Sequence, residues 1–151
     1  MTDREATKSF LRELFDGQQL AVLATCEGDG HPFANLMAFA ASDDLRSVSL
    51  VTDRATRKYA TLRAHPRVAL LIDSRDPGAS DFNEMAAVTI VGEAEEVSGD
   101  GREGLLGLFV AQHPYLAEFV SSPSSALFRV NVVSYYLVRR FQEVTELHFR
   151  E

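Results

Sequence analysis

Apolar residues near the start of the chain recur at the spacing of an amphipathic helix. A helix over residues 3–16 would bring four of them onto one face: Phe10, Leu11, Leu14 and Phe15. Thr2 and Glu5 have the spacing of a capping box, in which side chains satisfy the free amides of the first turn. Gly17 suits the end of the helix. The pattern therefore predicts a helix that packs one side against a core.

Most of the remaining chain consists of short apolar runs bounded by turn residues, which is typical of β-strands. The predicted strands cover residues 20–26, 31–41, 47–52, 67–73, 86–97, 126–140 and 141–149. Gly28 and Gly30 flank Asp29 between the first two strands and predict a β-hairpin. Gly92, inside a long strand, predicts a bulge or a close backbone contact.

Helical patterns are fewer and do not alternate regularly with the strands. Helices are predicted over 56–64, from Asp100 onward and over 115–120, and loops over 74–81 and 121–125. The helix that begins at Asp100 would turn four residues inward: Leu105, Leu106, Leu108 and Phe109. This order favours one domain over residues 1–151, mostly β with peripheral helices (α+β), rather than a doubly wound parallel sheet. About six strands would close a small barrel filled by side chains, so a ligand would sit on its rim or at a subunit contact.

Charge and composition narrow the function. The formal net charge is −7, which makes a nucleic acid an unlikely partner and gives any local group of Arg and Lys more meaning. The N-terminus has no apolar core segment and no apolar run is long enough to cross a bilayer, so we expect a cytoplasmic protein without membrane contact. Cys26, the single cysteine, lies in an apolar run and is expected in the core. Of the adjacent Tyr135 and Tyr136, only one can face inward.

The most informative stretch is residues 51–66, where a strand ends and a helix begins. Arg57 and Lys58 fall in the first turn of that helix, where the positive end of the helix dipole disfavours cations. An anion docked at the helix start would reverse this effect, and a phosphate monoester would fit the free amides, hydroxyls and cations there. The spacing alone also fits a solvated helix face with Thr56 as the N-cap.

The motifs in residues 31–73 resemble those of the pyridoxamine 5′-phosphate oxidase-like family, which has an FMN-binding split β-barrel. The matching residues are Val51-Thr52, Thr56-Arg57-Lys58 and His65-Pro66-Arg67-Val68-Ala69-Leu70-Leu71, without a gap in spacing. The later run 88–98 resembles the next long strand of the family. The resemblance implies a six-stranded antiparallel split barrel and a homodimer with two flavins at the interface.

The same resemblance implies which residues bind FMN. Thr52, Thr56, Arg57 and Lys58 would bind the phosphate and ribityl chain. The isoalloxazine ring would lie along the backbone of the second strand, at Asn35, Leu36, Met37 and Ala38. No catalytic side chain is identified, and the histidines show no metal-ligand spacing, so no metal site is expected.

Departures from the family pattern limit the assignment of an activity. Asn35 stands where the oxidase has Arg, the chain has no Trp, and the C-terminal Arg-x-His motif is missing. We therefore expect the flavin but not oxidation of pyridoxamine phosphate. A weaker resemblance to a haem-utilisation branch rests on residues 113–116, Phe119, residues 128–130 and Phe141. Three hypotheses stay open: a flavin-dependent oxidoreductase acting on a small molecule, a haem-binding protein, and a non-catalytic flavin-binding module. A phosphorylated deazaflavin in place of FMN also stays open.

Overall fold

Within residues 2–74, 85–140 and 142–149, which the computed structural model describes, eight antiparallel strands form one sheet with helices around it. The strands are β1 (Leu20–Cys26), β2 (Pro32–Ala38), β3 (Ala40–Ala41), β4 (Ser47–Asp53), β5 (Arg67–Asp73), β6 (Ala86–Glu96), β7 (Ser125–Arg139) and β8 (Glu143–His148). The helices are α1 (Asp3–Asp16), α2 (Arg57–Ala64), α3 (Arg102–Gln112) and α4 (Ala117–Ser121), with a 3₁₀ turn at Pro114–Leu116.

The sheet closes on itself through a single residue. Its strand order is β2-β1-β5-β6-β7-β4-β3, with β8 beside β7 off this path. β2 and β3 stand at opposite ends of that order, yet only Phe39 separates them in the sequence. The predicted split barrel with peripheral helices is therefore confirmed. The strand count is eight rather than six, because the predicted strand 31–41 divides at Phe39 and β8 lies outside the closed path.

Alternate residues of the strands fill the barrel, as the two-residue period of a strand requires. Leu23, Leu70, Ile90 and Val130 are all almost completely buried. The predicted helix 3–16 matches α1, which lays Leu11, Leu14 and Phe15 onto this core. Each such side chain contributes about 1.5–3 kcal/mol when it leaves water. Tyr135 is buried and Tyr136 exposed, as the alternation predicts.

Gly92 lies where two strands approach closely. The pairing of β6 with β7 shifts register between Val91 and Gly92, which is a β-bulge. A Cβ added to Gly92 would lie 2.5 Å from the backbone oxygen of Asn131. The predicted bulge and the predicted close backbone contact at Gly92 are therefore both confirmed.

The outward side of the same strands is unusually apolar. Leu36 and Leu71 lie on either side of Val22, and Val91 and Tyr136 follow on β6 and β7. With Leu20 these residues form what we name the outer apolar face: Leu20, Leu36, Leu71, Val91 and Tyr136. Their exposed fractions run from 37% to 65%.

Two expectations about buried residues are wrong, and two predicted features lie outside the described residues. Cys26 is exposed rather than in the core, because it falls on the outward side of β1 with Leu20. Leu108 is 60% exposed, so α3 turns Phe109 but not Leu108 inward. The predicted loop 74–81 lies, from residue 75 on, outside the described residues, as does Phe141. None of the helices in the described ranges has the length and apolar character to cross a bilayer.

Candidate functional site

Two threonine hydroxyls meet where β4 ends and α2 begins. Thr56 is the N-cap of α2, and its Oγ1 accepts a hydrogen bond from the Tyr59 amide at 3.3 Å. The same hydroxyl donates to the Asp53 carbonyl oxygen at 2.7 Å. The Oγ1 of Thr52, which is buried, lies 3.2 Å from that of Thr56. Since the Thr56 proton is committed to Asp53, Thr52 is the donor of this pair and keeps its lone pairs free.

These threonines line a groove of about 340 Å³ between β2, β4, α2 and α3. Its size lies at the lower end of the range for small-molecule sites, roughly 300–1,000 Å³. Six predicted site residues line it: Leu36, Met37, Ala38, Thr52, Thr56 and Lys58. The rest of the lining is mainly apolar, with Leu20, Val51, Phe109, Tyr115, Leu116 and Phe119, and it includes one carboxylate, that of Asp53. The structure thus brings six of the eight predicted site residues together in one place.

Lys58 is the cation of this groove. No carboxylate in the described parts of the chain forms an ion pair with it. Arg54, which precedes α2 in the turn, is held elsewhere, since its guanidinium donates to the Pro123 and Ser125 carbonyls and to Glu96. Arg54 therefore adds no free cation to the groove.

Arg57 lies beside the groove rather than in its lining. Its Nε donates to Oε1 of Glu27 at 2.6 Å, and its guanidinium carbon lies 4.3 Å from the centre of the Phe33 ring. The hydrogen bond from Arg57 holds the pKa of Glu27 below its usual value, and Glu27 raises the pKa of Arg57. Arg57 thereby ties the start of α2 to the turn between β1 and β2.

Asn35 also lies outside the groove lining. It stands opposite Leu23 in the ladder between β1 and β2. Neighbours in such a ladder point to the same side of the sheet, so Asn35 faces the barrel side of β2. Its assignment to the ring-binding backbone, like that of the whole predicted site, stays a prediction.

A buried histidine reaches the groove through Tyr115, a pair that the sequence did not reveal. His113, almost fully buried, places Nε2 2.7 Å from the Phe39 carbonyl oxygen. A carbonyl only accepts, so Nε2 carries the proton and Nδ1 of the neutral ring is an acceptor. The Tyr115 hydroxyl lies 3.3 Å from Nδ1 and 3.4 Å from Oε1 of Gln19. In the sequence, this segment was singled out only by the weak resemblance of residues 113–116 to the haem-utilisation branch.

Comparison with known proteins identifies the family. A sequence model described as pyridoxamine 5′-phosphate oxidase matches residues 7–139, which is most of the chain. No curated protein matches the sequence.

Solved structures agree with this fold. A haem-binding protein of Mycobacterium smegmatis superposes with a TM-score of 0.82 and 16% identity, over 98% of this chain and 58% of its own. This chain thus spans little more than half of that protein. A Clostridium acetobutylicum protein related to general stress protein 26, of the pyridoxinephosphate oxidase family, superposes with a TM-score of 0.74 and 17% identity. The match covers 98% of this chain and 97% of that protein. HutZ, the haem storage protein of Vibrio cholerae, superposes with a TM-score of 0.66 and 17% identity, over 82% of this chain and 88% of its own. At these identities the likeness shows the fold alone.

Proposed function

Since this chain belongs to the pyridoxamine 5′-phosphate oxidase family, we propose that it binds FMN in the groove at the start of α2 and acts as an FMN-dependent oxidoreductase on a small molecule. One observation carries the proposal: Thr52, Thr56 and Lys58 line the same groove as the β2 backbone at Leu36, Met37 and Ala38. A phosphate and a planar ring would thus find suitable partners within a single cavity.

The phosphate end of the groove suits an anion. The first turn of α2 contains no acidic residue, so its positive end is not neutralised within the helix. Lys58 borders the groove, and free helix amides add further donors. The Thr52 hydroxyl, which donates to Thr56, would donate to the phosphate only after turning away from Thr56. These groups would hold and orient the phosphate.

The ring end suits a flat, partly polar molecule. Among the described strands β2 pairs with β1 alone, so its other backbone edge can hydrogen-bond to a ring laid along it. Val51, Phe109 and Leu116 would cover the ring and exclude water. Tyr115 would place a hydroxyl beside a substrate. The flavin, when bound, would supply the hydride-transfer chemistry.

We propose further that the protein is a homodimer built on the outer apolar face. Leu20 and Leu36 belong to this face and also line the groove. A second copy covering the face would therefore complete the site from the other side. Burial of these side chains would contribute about 25 cal/mol for each Å² removed from water.

The spectrum of the purified protein tests the flavin proposal. We expect a yellow protein that releases FMN on denaturation, identified by mass so that a deazaflavin is recognised. Bleaching of the bound flavin by a reduced nicotinamide would distinguish an oxidoreductase from a non-catalytic flavin-binding module. A colourless protein that takes up no added FMN would contradict the proposal.

Haem is the second candidate ligand, because two solved structures with this fold are named for haem binding or storage. Both ring nitrogens of His113 and of His148 have hydrogen-bond partners. His31 and His65 are therefore the better candidates for an axial ligand. Titration with haem should then give a Soret band that His31→Ala or His65→Ala alters, and an unchanged haem spectrum would remove this candidate.

A further inference from the structure

Arg57 has two possible partners: the flavin phosphate, which the family resemblance assigns to it, and the Glu27 carboxylate, which already binds it. The Glu27 carboxylate accepts its Nε–H at 2.6 Å, while the groove lining contains Lys58 and not Arg57. The arginine side chain is 67% exposed and Glu27 25%, so the pair lies at the surface with its carboxylate the better shielded member. The contacts of Arg57 are thus made to the β1–β2 turn.

We propose that Glu27 is a specificity-determining residue, which competes with the ligand phosphate for Arg57 and so sets how strongly the protein prefers a phosphorylated flavin. The inference rests on the proposed function. It assigns a role to a residue of the β1–β2 turn, outside the predicted site.

The competition follows from charge and geometry. A carboxylate and a phosphate both bind a guanidinium through its N–H groups. Glu27 therefore lowers the binding free energy that a phosphate gains from Arg57. Ion pairs as exposed as this one are weak, and a dianion could therefore displace or share the contact. The Phe33 ring would keep the guanidinium near the start of α2 in either case, because its face attracts the cation.

Removal of the Glu27 charge should therefore strengthen binding of the phosphate alone. Affinities for FMN and for riboflavin, which lacks the phosphate, would be measured by quenching of flavin fluorescence. We expect Glu27→Gln to raise the affinity for FMN about two- to fivefold, the range that a weak exposed ion pair allows. The affinity for riboflavin should not change.

Asp29 provides a matched control. It carries the same charge in the same turn, but its Oδ1 accepts from the His31 amide. Asp29→Asn should tighten FMN less than Glu27→Gln does. In an Arg57→Ala background, Glu27→Gln should bring no gain, because the contested group is gone.

The outcomes separate the two proposals. If wild-type protein binds FMN no better than riboflavin, the phosphate site of the proposed function fails. If FMN is preferred but Glu27→Gln leaves its affinity equal or lower, the competition is refuted. An equal gain in Asp29→Asn, or a gain that survives Arg57→Ala, would also overturn it and indicate a general charge effect.

Discussion

His113 donates a hydrogen bond from Nε2 to the carbonyl oxygen of Phe39 at 2.7 Å, across 74 positions of sequence. Phe39 is the residue between β2 and β3, where the chain leaves one partner strand for another. A carbonyl at such a step lies within neither ladder, and a buried polar group without a partner costs free energy. His113, the C-cap residue of α3, thus provides the hydrogen-bond donor for the carbonyl of the residue at which the barrel closes.

His113→Ala should therefore lower the free energy of unfolding by about 1–3 kcal/mol, the range for a buried group left unsatisfied. His113→Gln, which offers an amide donor, should recover part of the loss, and Tyr115→Phe should cost less. Urea denaturation measures all three. A His113→Ala protein as stable as wild type would show that the Phe39 carbonyl finds another partner.

Gly92→Ala should also destabilise the fold, by about 1–3 kcal/mol, because the new methyl group meets the Asn131 backbone and the Val130 side chain. Gly104→Ala in α3 is the matched control. Nothing lies within 4 Å of its added Cβ, and alanine favours a helix. We expect the control to be neutral or stabilising in thermal melts. Equal effects of the two changes would contradict the close approach at the bulge.

Lys58→Ala should lower the affinity for FMN at least tenfold, because a charged hydrogen bond to phosphate contributes about 1.5–3 kcal/mol. The affinity for riboflavin should not change. Lys8→Ala on α1 removes the same charge and should have little effect. Fluorescence titration at low salt provides the measurement. Similar losses for FMN and riboflavin would locate Lys58 away from the phosphate.

Leu71→Glu should convert the proposed dimer into a monomer, because it places a charge within the outer apolar face. Leu108→Glu makes the same change at an exposed leucine of α3 and should leave the assembly unchanged. Sedimentation velocity would show both. A dimer that persists in Leu71→Glu would place the interface elsewhere.

Asp44 predicts a pH dependence of stability. Its carboxylate accepts from the Ser42 hydroxyl at 2.6 Å and the Arg46 amide at 3.0 Å, which holds its pKa below the usual value. The stabilisation is complete above the unfolded pKa of about 3.9 and is lost as pH falls through the lower folded pKa. Asp44→Asn should thus be less stable than wild type near neutrality, and the difference should disappear in strong acid. Urea melts at both extremes test this, and a difference that grows in acid would contradict it.

The parts of the fold that the sequence predicted are those set by local pattern. The apolar stripe of α1 gave its boundaries, because burial on one face repeats with the period of the helix. The short apolar runs of β1 and β5 gave theirs, because turn residues bound them. The Thr52–Thr56 spacing likewise predicted two hydroxyls at one helix start.

Contacts between distant segments could not be predicted in this way. The break at Phe39 has no sequence signal, since Phe39 and its neighbours are as apolar as a continuous strand. The partner of Arg57 lies 30 positions away, and that of His113 lies 74. Cys26 was misplaced because an apolar strand with an apolar outer side does not show which residues face inward.

The closure at Phe39 limits how this segment can change in length. Phe39 alone separates β2, which pairs with β1, from β3, which pairs with β4. An inserted or deleted residue there would slip one ladder by a single position and turn its side chains to the opposite side. Homologous chains should accordingly vary in residue type along this segment while conserving its spacing, and insertions should collect in the outer turns.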